Sequence, residues 1–214
     1  MLVVGAKGFA KEVLEILHEN NDIDNLVFFD DVNDDLTMLY DKFKVLKNEE
    51  EVSEYFTTND KRFTVAIGNP MLRRQMVHKF SNLGGQLTST ISTQAYLGNY
   101  DVNIAEGCNV LSGVKISNGV TIGKGALVYY NAILTHDVIV GEFVEISPGA
   151  TLLGRCQIRS YSRIGSNATI LPDVTIGKNV TVGAGAVVTK DVPDNCVVSG
   201  TPATKQKEID PLPF

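Results

Sequence analysis

The sequence predicts a small parallel α/β domain over residues 1–88, a triangular solenoid over residues 89–206 and a short tail over 207–214. Three observations carry this. In the first half, short apolar runs alternate with segments of helical period. In the second half, an aliphatic residue recurs at every sixth position from Ile104 to Val188. Glycines that follow those aliphatics fall on an 18-residue register, so three hexads make one coil.

Residues 2–4 read as a buried strand, and Gly5, Ala6, Lys7 and Gly8 as the turn after it. Ala10, Val13, Leu14, Ile16 and Leu17 then recur at helical spacing. Residues 26–29 form a second strand ending at Asp30 and Asp31, and residues 63–67 a third ending at Gly68, Asn69 and Pro70. A helix follows through Leu72, Met76, Val77 and Phe80. Such sheets bind ligands at the carboxyl ends of their strands, where Gly5 to Gly8, Asp30, Asp31, Gly68 and Asn69 fall. Gly5 and Gly8 are only part of a dinucleotide fingerprint. Asp30 lies 22 residues after Gly8, near the spacing at which an acid meets a ribose hydroxyl; a turn or helix-capping aspartate is the competing reading. A polar stretch, residues 88–94, joins the halves.

The period of six fits neither an amphipathic helix nor a simple strand. Four positions after each aliphatic stands a small residue or valine, as at Cys108, Val114, Val120 and Ala126. Glycine follows the aliphatic at Gly123, Gly141 and Gly177 on one register and at Gly165 and Gly183 on another. The third register (Ile116, Leu134, Leu152, Ile170, Val188) has none. Three inequivalent faces imply a triangular section, aliphatics inward and small residues at the tight corners, with the core supplied by stacking. Cys108 and Cys156 occupy small slots and read as core.

A net charge of -6 and a pI near 5.1 argue against a nucleic-acid or anionic-membrane partner. No stretch approaches the roughly 18 apolar residues of a membrane span. No basic segment leads into a long apolar run at the N-terminus, so the expected address is the cytoplasm. Three cysteines without a CxxC spacing suggest neither a disulfide framework nor a zinc site.

The repeat, together with residues 187–193 and the run Gly200, Thr201, Pro202, Ala203, resembles the hexapeptide acyltransferases. That resemblance implies a left-handed parallel β-helix, and homotrimers that bind acceptor and coenzyme between neighbouring solenoids. The layout of a Rossmann-like strand–turn–helix, then Phe28 to Asp31, then Ala66 to Asn69, then hexapeptide repeats is narrower. It resembles the bacillosamine-pathway N-acetyltransferases and the sialic-acid O-acetyltransferases. The resemblance implies an acetyl-CoA-dependent acetyltransferase acting on the amino group of a nucleotide-linked amino sugar, in surface polysaccharide or glycan synthesis. The nucleotide would sit with its phosphates near Gly5, Ala6, Lys7 and Gly8 and its base or ribose near Asp30 and Asp31.

Acetyl transfer needs a base for the acceptor's proton and donors for the thioester oxygen. His136 is the one histidine of the solenoid. Thr135, His136 and Asp137 sit as the family's base motif does, which implies His136 as general base with Asp137 orienting it. Adjacent strand residues point to opposite faces, so Asp137 reaches the ring only if the chain bends. One coil after His136 comes Gly154, then Pro172, then Lys190. At about 4.8 Å per coil, the Gly154 N–H would face the oxyanion, and Lys190 would stand roughly 14 Å from His136, at a distance suited to a coenzyme phosphate; a solvent-facing lysine is the plain alternative. The resemblance also implies coenzyme contacts at Gly154, at the position of Glu145, and at Gly183 and Ala184.

Two departures stand out. Where family members often carry a second, coenzyme-touching histidine, this chain has Glu145; where Ile-His-Pro is usual, it has Ile91, Ser92 and Thr93. Other readings are weighed against this one: an O-acetyltransferase on a sugar hydroxyl such as that of sialic acid, a non-catalytic β-helix binding module, and a nicotinamide-dependent oxidoreductase built on the first half. A metalloenzyme of the γ-carbonic-anhydrase kind needs three histidines on its metal, and none is expected here.

Overall fold

The computed structural model describes residues 1–213. Its first part runs β1 (Leu2–Val4), α1 (Gly8–Glu19), β2 (Val27–Phe29), β3 (Met38–Leu39), β4 (Phe43–Leu46), α2 (Glu49–Thr58), β5 (Arg62–Val65), α3 (Pro70–Asn82) and β6 (Gln86–Leu87). The sheet order is β3-β4-β2-β1-β5-β6, parallel except where β3 meets β4. Central β1 pairs with β2 and β5 and is buried on both faces, which is why it reads Leu-Val-Val without alternation. Helix α1 packs its Ala10, Val13, Leu14 and Leu17 on one side of the sheet. The other side is filled by Val52, Tyr55 and Phe56 of α2 and Val77 and Phe80 of α3.

The expected strands and helices are present, but α2, β3, β4 and β6 are additions. Helix α2 has few apolar residues and an acidic first turn. Its start was nonetheless written in the sequence: the Asn48 side chain accepts from the Glu51 N–H at 2.9 Å, and Glu51 Oε2 accepts from the Lys47 N–H at 3.3 Å. This is a variant of the capping box, with Asn in place of Ser or Thr and the Glu51 carboxylate reaching the N–H one residue before the cap. The joining stretch is itself structured, since Thr90–Ile91 already pairs with Asn109–Val110.

The second part is a parallel β-helix of two-residue strands stacked in three sheets. Pairs such as Ile133↔Thr151 and Leu134↔Leu152 set the 18-residue register. The aliphatics and the small residues four places on are both buried, Cys108 and Cys156 among them. Each coil turns its corners on a left-handed residue, and this too recurs every six positions: Gly119, Gly125, Asn131, Asp137, Phe143, Gly149 and Arg155 all have φ between 54° and 74°. Glycine, Asn and Asp enter this region at least cost; Phe143 and Arg155 need another reason to be there. The helix closes with Cys196–Gly200, parallel to Thr181–Val182, folding back as Ala203–Glu208. That last strand extends two residues past the expected start of the tail.

The two parts are joined by buried polar groups. Arg73 of α3 is fully buried. Its Nε donates to Gly125 O (2.7 Å), Nη1 to Ile67 O (2.9 Å) and Gly68 O (2.7 Å), and Nη2 to Phe143 O (2.8 Å) and Val144 O (3.2 Å). Burial pulls the guanidinium down to about 10, which leaves it charged at neutral pH. Phe143 earns its strained corner here: its ring joins the α2–α3 side of the domain core and stacks on Tyr161 at 5.7 Å. Buried Asn109 makes a second link, donating to Val65 O (3.0 Å) and accepting from Thr64 and Thr90 (3.0 and 2.6 Å). Replacing Arg73 by Met strands several buried carbonyls, each worth about 1–3 kcal/mol. Arg73→Met is therefore expected to cost about 3 kcal/mol or more and to lower the melting temperature by at least about 6 °C in a calorimetric scan. Arg73→Lys, with three donors on a point charge, should recover little of it.

Candidate active site

The α/β domain presents a cleft of about 400 Å³ at the carboxyl ends of β1 and β2, lined by Gly5, Ala6, Lys7, Gly8, Asp30 and Asp31. Its far wall is apolar, formed by Phe9, Phe29, Ile67 and Met76. Gly5 has φ +109°, and a Cβ there would meet Ala66 O at 2.8 Å, so the turn into α1 admits only glycine. Helix α1 begins without a side-chain cap and without an acid in its first turn. Its unsatisfied N–H groups therefore face the cleft, an arrangement suited to an anion.

Asp30 lines the cleft and also holds a turn. Its Oδ1 accepts from the Val32 and Asn33 N–H groups at 3.0 and 2.9 Å, and both oxygens take the Asn33 amide. Burial raises its carboxyl, but the bonds from Asn33 and Val32 and the charge of Lys47 outweigh that and hold it below the usual range. This carboxylate shapes the 30–33 turn. Asp31 is the open one, 48% exposed and 3.6 Å from Lys79. Gly68 and Asn69 follow Ile67 but do not line the cleft. Gly68 gives its carbonyl to Arg73, and the Asn69 side chain caps α3 by accepting from Met71 and Leu72 N–H.

The second candidate centre is a corner of the β-helix. His136 and Asp137 are both more than half exposed, and His136 Nδ1 lies 2.8 Å from Asp137 Oδ2. Adjacent residues meet because Asp137 is a left-handed corner residue, φ 59°, which supplies the bend that a strand lacks. Asp137 also sits against Gly119, one coil back, where no Cβ would fit. With Nδ1–H donating to the carboxylate, Nε2 carries the lone pair. Gly154 lies one coil on: a Cβ there would come within 2.6 Å of His136 Nε2 and Cε1. The coil-to-coil bonds at this point run from Leu153 N to Ile170 O and from Arg155 N to His136 O (3.0 and 3.1 Å), leaving the intervening Gly154 N–H outside the ladder. Arg155 makes a bidentate pair with Asp173 (2.6 and 2.8 Å) on the same edge, a feature that an 18-residue step from Asp137 would have found.

Other expected positions are dispersed. Lys190 is exposed on the His136 edge. Gly183 is on a different edge, where Ser199 of the closing strand leaves no room for a Cβ, and Ala184 beside it is exposed. Glu145 is on the face covered by the α/β domain, 3.7 Å from Arg163. Within one chain it does not join His136.

Two family models match the chain. The PglD N-terminal domain family matches residues 1–80, and the bacterial transferase hexapeptide family (six repeats) matches residues 155–190. No curated protein sequence matched. Among solved structures, perosamine N-acetyltransferase from Caulobacter crescentus, in complex with CoA and GDP-perosamine, is similar at TM-score 0.90 and 28% identity, over 97% of this chain and 96% of that one. The acetyltransferase domain of PglB from Neisseria gonorrhoeae, in complex with acetyl coenzyme A, matches at TM-score 0.86 and 32% identity, over 95% and 97%. WeeI from Acinetobacter baumannii matches at TM-score 0.87 and 30% identity, over 95% and 98%.

The packing at Gly154 makes a direct prediction. Gly154→Ala should push the imidazole aside and open the His136–Asp137 contact beyond 3.5 Å in a crystal structure of the variant, with the neighbouring coils unmoved. An unmoved ring would mean that Gly154 is there for some other reason.

Proposed function

The chain belongs to the hexapeptide-repeat sugar acetyltransferases with a PglD N-terminal domain, and from that premise we propose that it transfers acetyl from acetyl-CoA to the amino group of a nucleotide-linked amino sugar. The single observation that carries this is the His136–Asp137 pair turned outward at a corner with Gly154 against the ring. The α/β cleft is proposed to hold the nucleotide, its phosphates at the open start of α1 and its base or ribose by Asp31.

In the proposed reaction the acceptor, once its ammonium has lost one proton to water, attacks the thioester carbonyl carbon. His136 Nε2 takes the second proton as the C–N bond forms, and Asp137 stabilises the imidazolium. The Gly154 N–H donates to the carbonyl oxygen as it becomes negative. When the C–S bond breaks, the imidazolium returns the proton to the departing thiolate. No covalent acyl-enzyme is needed.

His136 with Gly154, Gly183 with Ala184, and the cleft lie on different edges and faces of one chain. We therefore place the working site between copies in a homotrimer, the acceptor in one chain's cleft meeting His136 of a neighbour. Lys190 would contact the coenzyme from the His136 edge. No helix among the described residues is long and apolar enough to cross a membrane. The cytoplasm is proposed as the compartment, in keeping with three buried, unpaired cysteines.

The test is coenzyme-thiol release from acetyl-CoA with a panel of UDP-, TDP- and GDP-linked 4-amino sugars, free sialic acid included. Release with an amino sugar, reduced about 10²- to 10⁴-fold in His136→Ala, is the expected result. Release with a hydroxyl acceptor alone would move the protein to the O-acetyltransferases. No release and no coenzyme binding would leave a binding module. Light scattering on the eluting protein should return three chains per particle.

A further inference from the structure

Glu145 is where the structure departs from what the resemblance assigned to it. It begins the strand Glu145–Ile146 on the β-helix face beneath the α/β domain, and only 19% of its side chain is exposed. Its carboxylate accepts no hydrogen bond from any described residue. Its nearest cation is Arg163 Nε at 3.7 Å, outside hydrogen-bonding range. The other neighbouring charge, Arg73, spends its N–H groups on main-chain carbonyls. Burial raises the Glu145 carboxyl, against the pull of Arg163 and Arg73. No buried side-chain oxygen among the described residues lacks a partner, so the Glu145 carboxylate oxygens are reached from outside and are open to a donor on a ligand.

Its place says what that is. Glu145 Oε2 would stand 3.9 Å from a Cβ on Gly68, and Gly68 follows Ile67, which lines the cleft. Phe9, on the same wall of the cleft, packs on Tyr129 at 5.1 Å between ring centres. Tyr129 in turn feels the charges of Glu145 and Glu12. The cleft thus leads towards a junction with two carboxylates and a phenol, beside Arg73, whose N–H groups are spent on carbonyls, and Arg163. The two carboxylates repel a polyphosphate coenzyme. They attract a cationic group at the far end of a ligand anchored in the cleft.

We infer, resting on the function proposed above, that Glu145 is the residue that selects the acceptor: its carboxylate accepts a charge-assisted hydrogen bond from the ammonium of the sugar whose nucleotide lies in the same chain's cleft. A hydroxyl in that place can still donate to the carboxylate, but it carries no charge and so lacks the attraction between opposite charges that an ammonium adds. Glu145 thereby favours an amine over a hydroxyl and takes no part in holding acetyl-CoA.

The test is Glu145→Gln, which keeps the shape and removes the charge. The probe is whichever panel amino sugar the unsubstituted protein turns over best, together with its analogue bearing hydroxyl in place of amine. The acceptor KM should rise about 10-fold or more and the amine-to-hydroxyl preference should narrow. The KM for acetyl-CoA and the calorimetric Kd of the bare nucleoside diphosphate should stay unchanged. An unchanged acceptor KM overturns the assignment. So does a rise confined to the acetyl-CoA KM, which would return Glu145 to the coenzyme, or a matching loss of bare-nucleotide binding, which would make its role structural. If the unsubstituted protein turns over no member of the panel, the proposed function itself fails and this assignment falls with it.

Discussion

The left-handed residue at every corner of the β-helix is the constraint on which the rest depends. A two-residue strand cannot turn through a triangle's corner in ordinary backbone space, so one residue in six takes positive φ. Where the side chain has no task, glycine, Asn or Asp fills the position. Where it has one, the strain is accepted. Asp137 uses the bend to meet His136 at 2.8 Å, a contact closed to neighbours on an extended strand. Phe143 uses it to reach out of the solenoid into the core of the other domain. The same device therefore makes both the candidate base and half of the domain junction.

The stacking then imposes a second condition. Residues 18 apart lie one above another, so a corner side chain that folds over the adjoining coil needs glycine there. Asp137 requires Gly119, and the His136 imidazole requires Gly154. Gly154 is thus explained twice, by packing and by the N–H it leaves outside the ladder. Arg73 works at right angles to this logic. It ties the end of β5 to two successive coils through five carbonyls, so the cleft and the β-helix face are held as one surface.

The legible part of the sequence was what repeats or is local. Fifteen coupled hexads need no tertiary information, and the strand–turn–helix at residues 2–17 carries its own periodicity. His136 and Gly154 could be set one coil apart by counting. The tertiary contacts escaped. Arg73 sits inside an ordinary amphipathic helix, and nothing in its neighbours says that it is buried. Asp30 and Asp31 are indistinguishable as letters; the turn at 30–33 alone decides which carboxylate is spent and which is open. Gly68 and Asn69 fell at the right end of a strand but are turned to the junction, one by Arg73 and the other by capping α3.

That difference in legibility reflects how the molecule divides its work. The candidate base is placed by the repeat, at a corner built from its own coils. The proposed choice of acceptor is placed by the junction, where Gly68, Phe9, Tyr129 and Glu145 come together and Arg73 and Asn109 hold the two parts against each other. A substitution at position 145 can therefore alter what is acylated without disturbing the base, its aspartate or the glycine beside it. Under the proposed assignment, glutamate there serves the choice of acceptor and not the coenzyme.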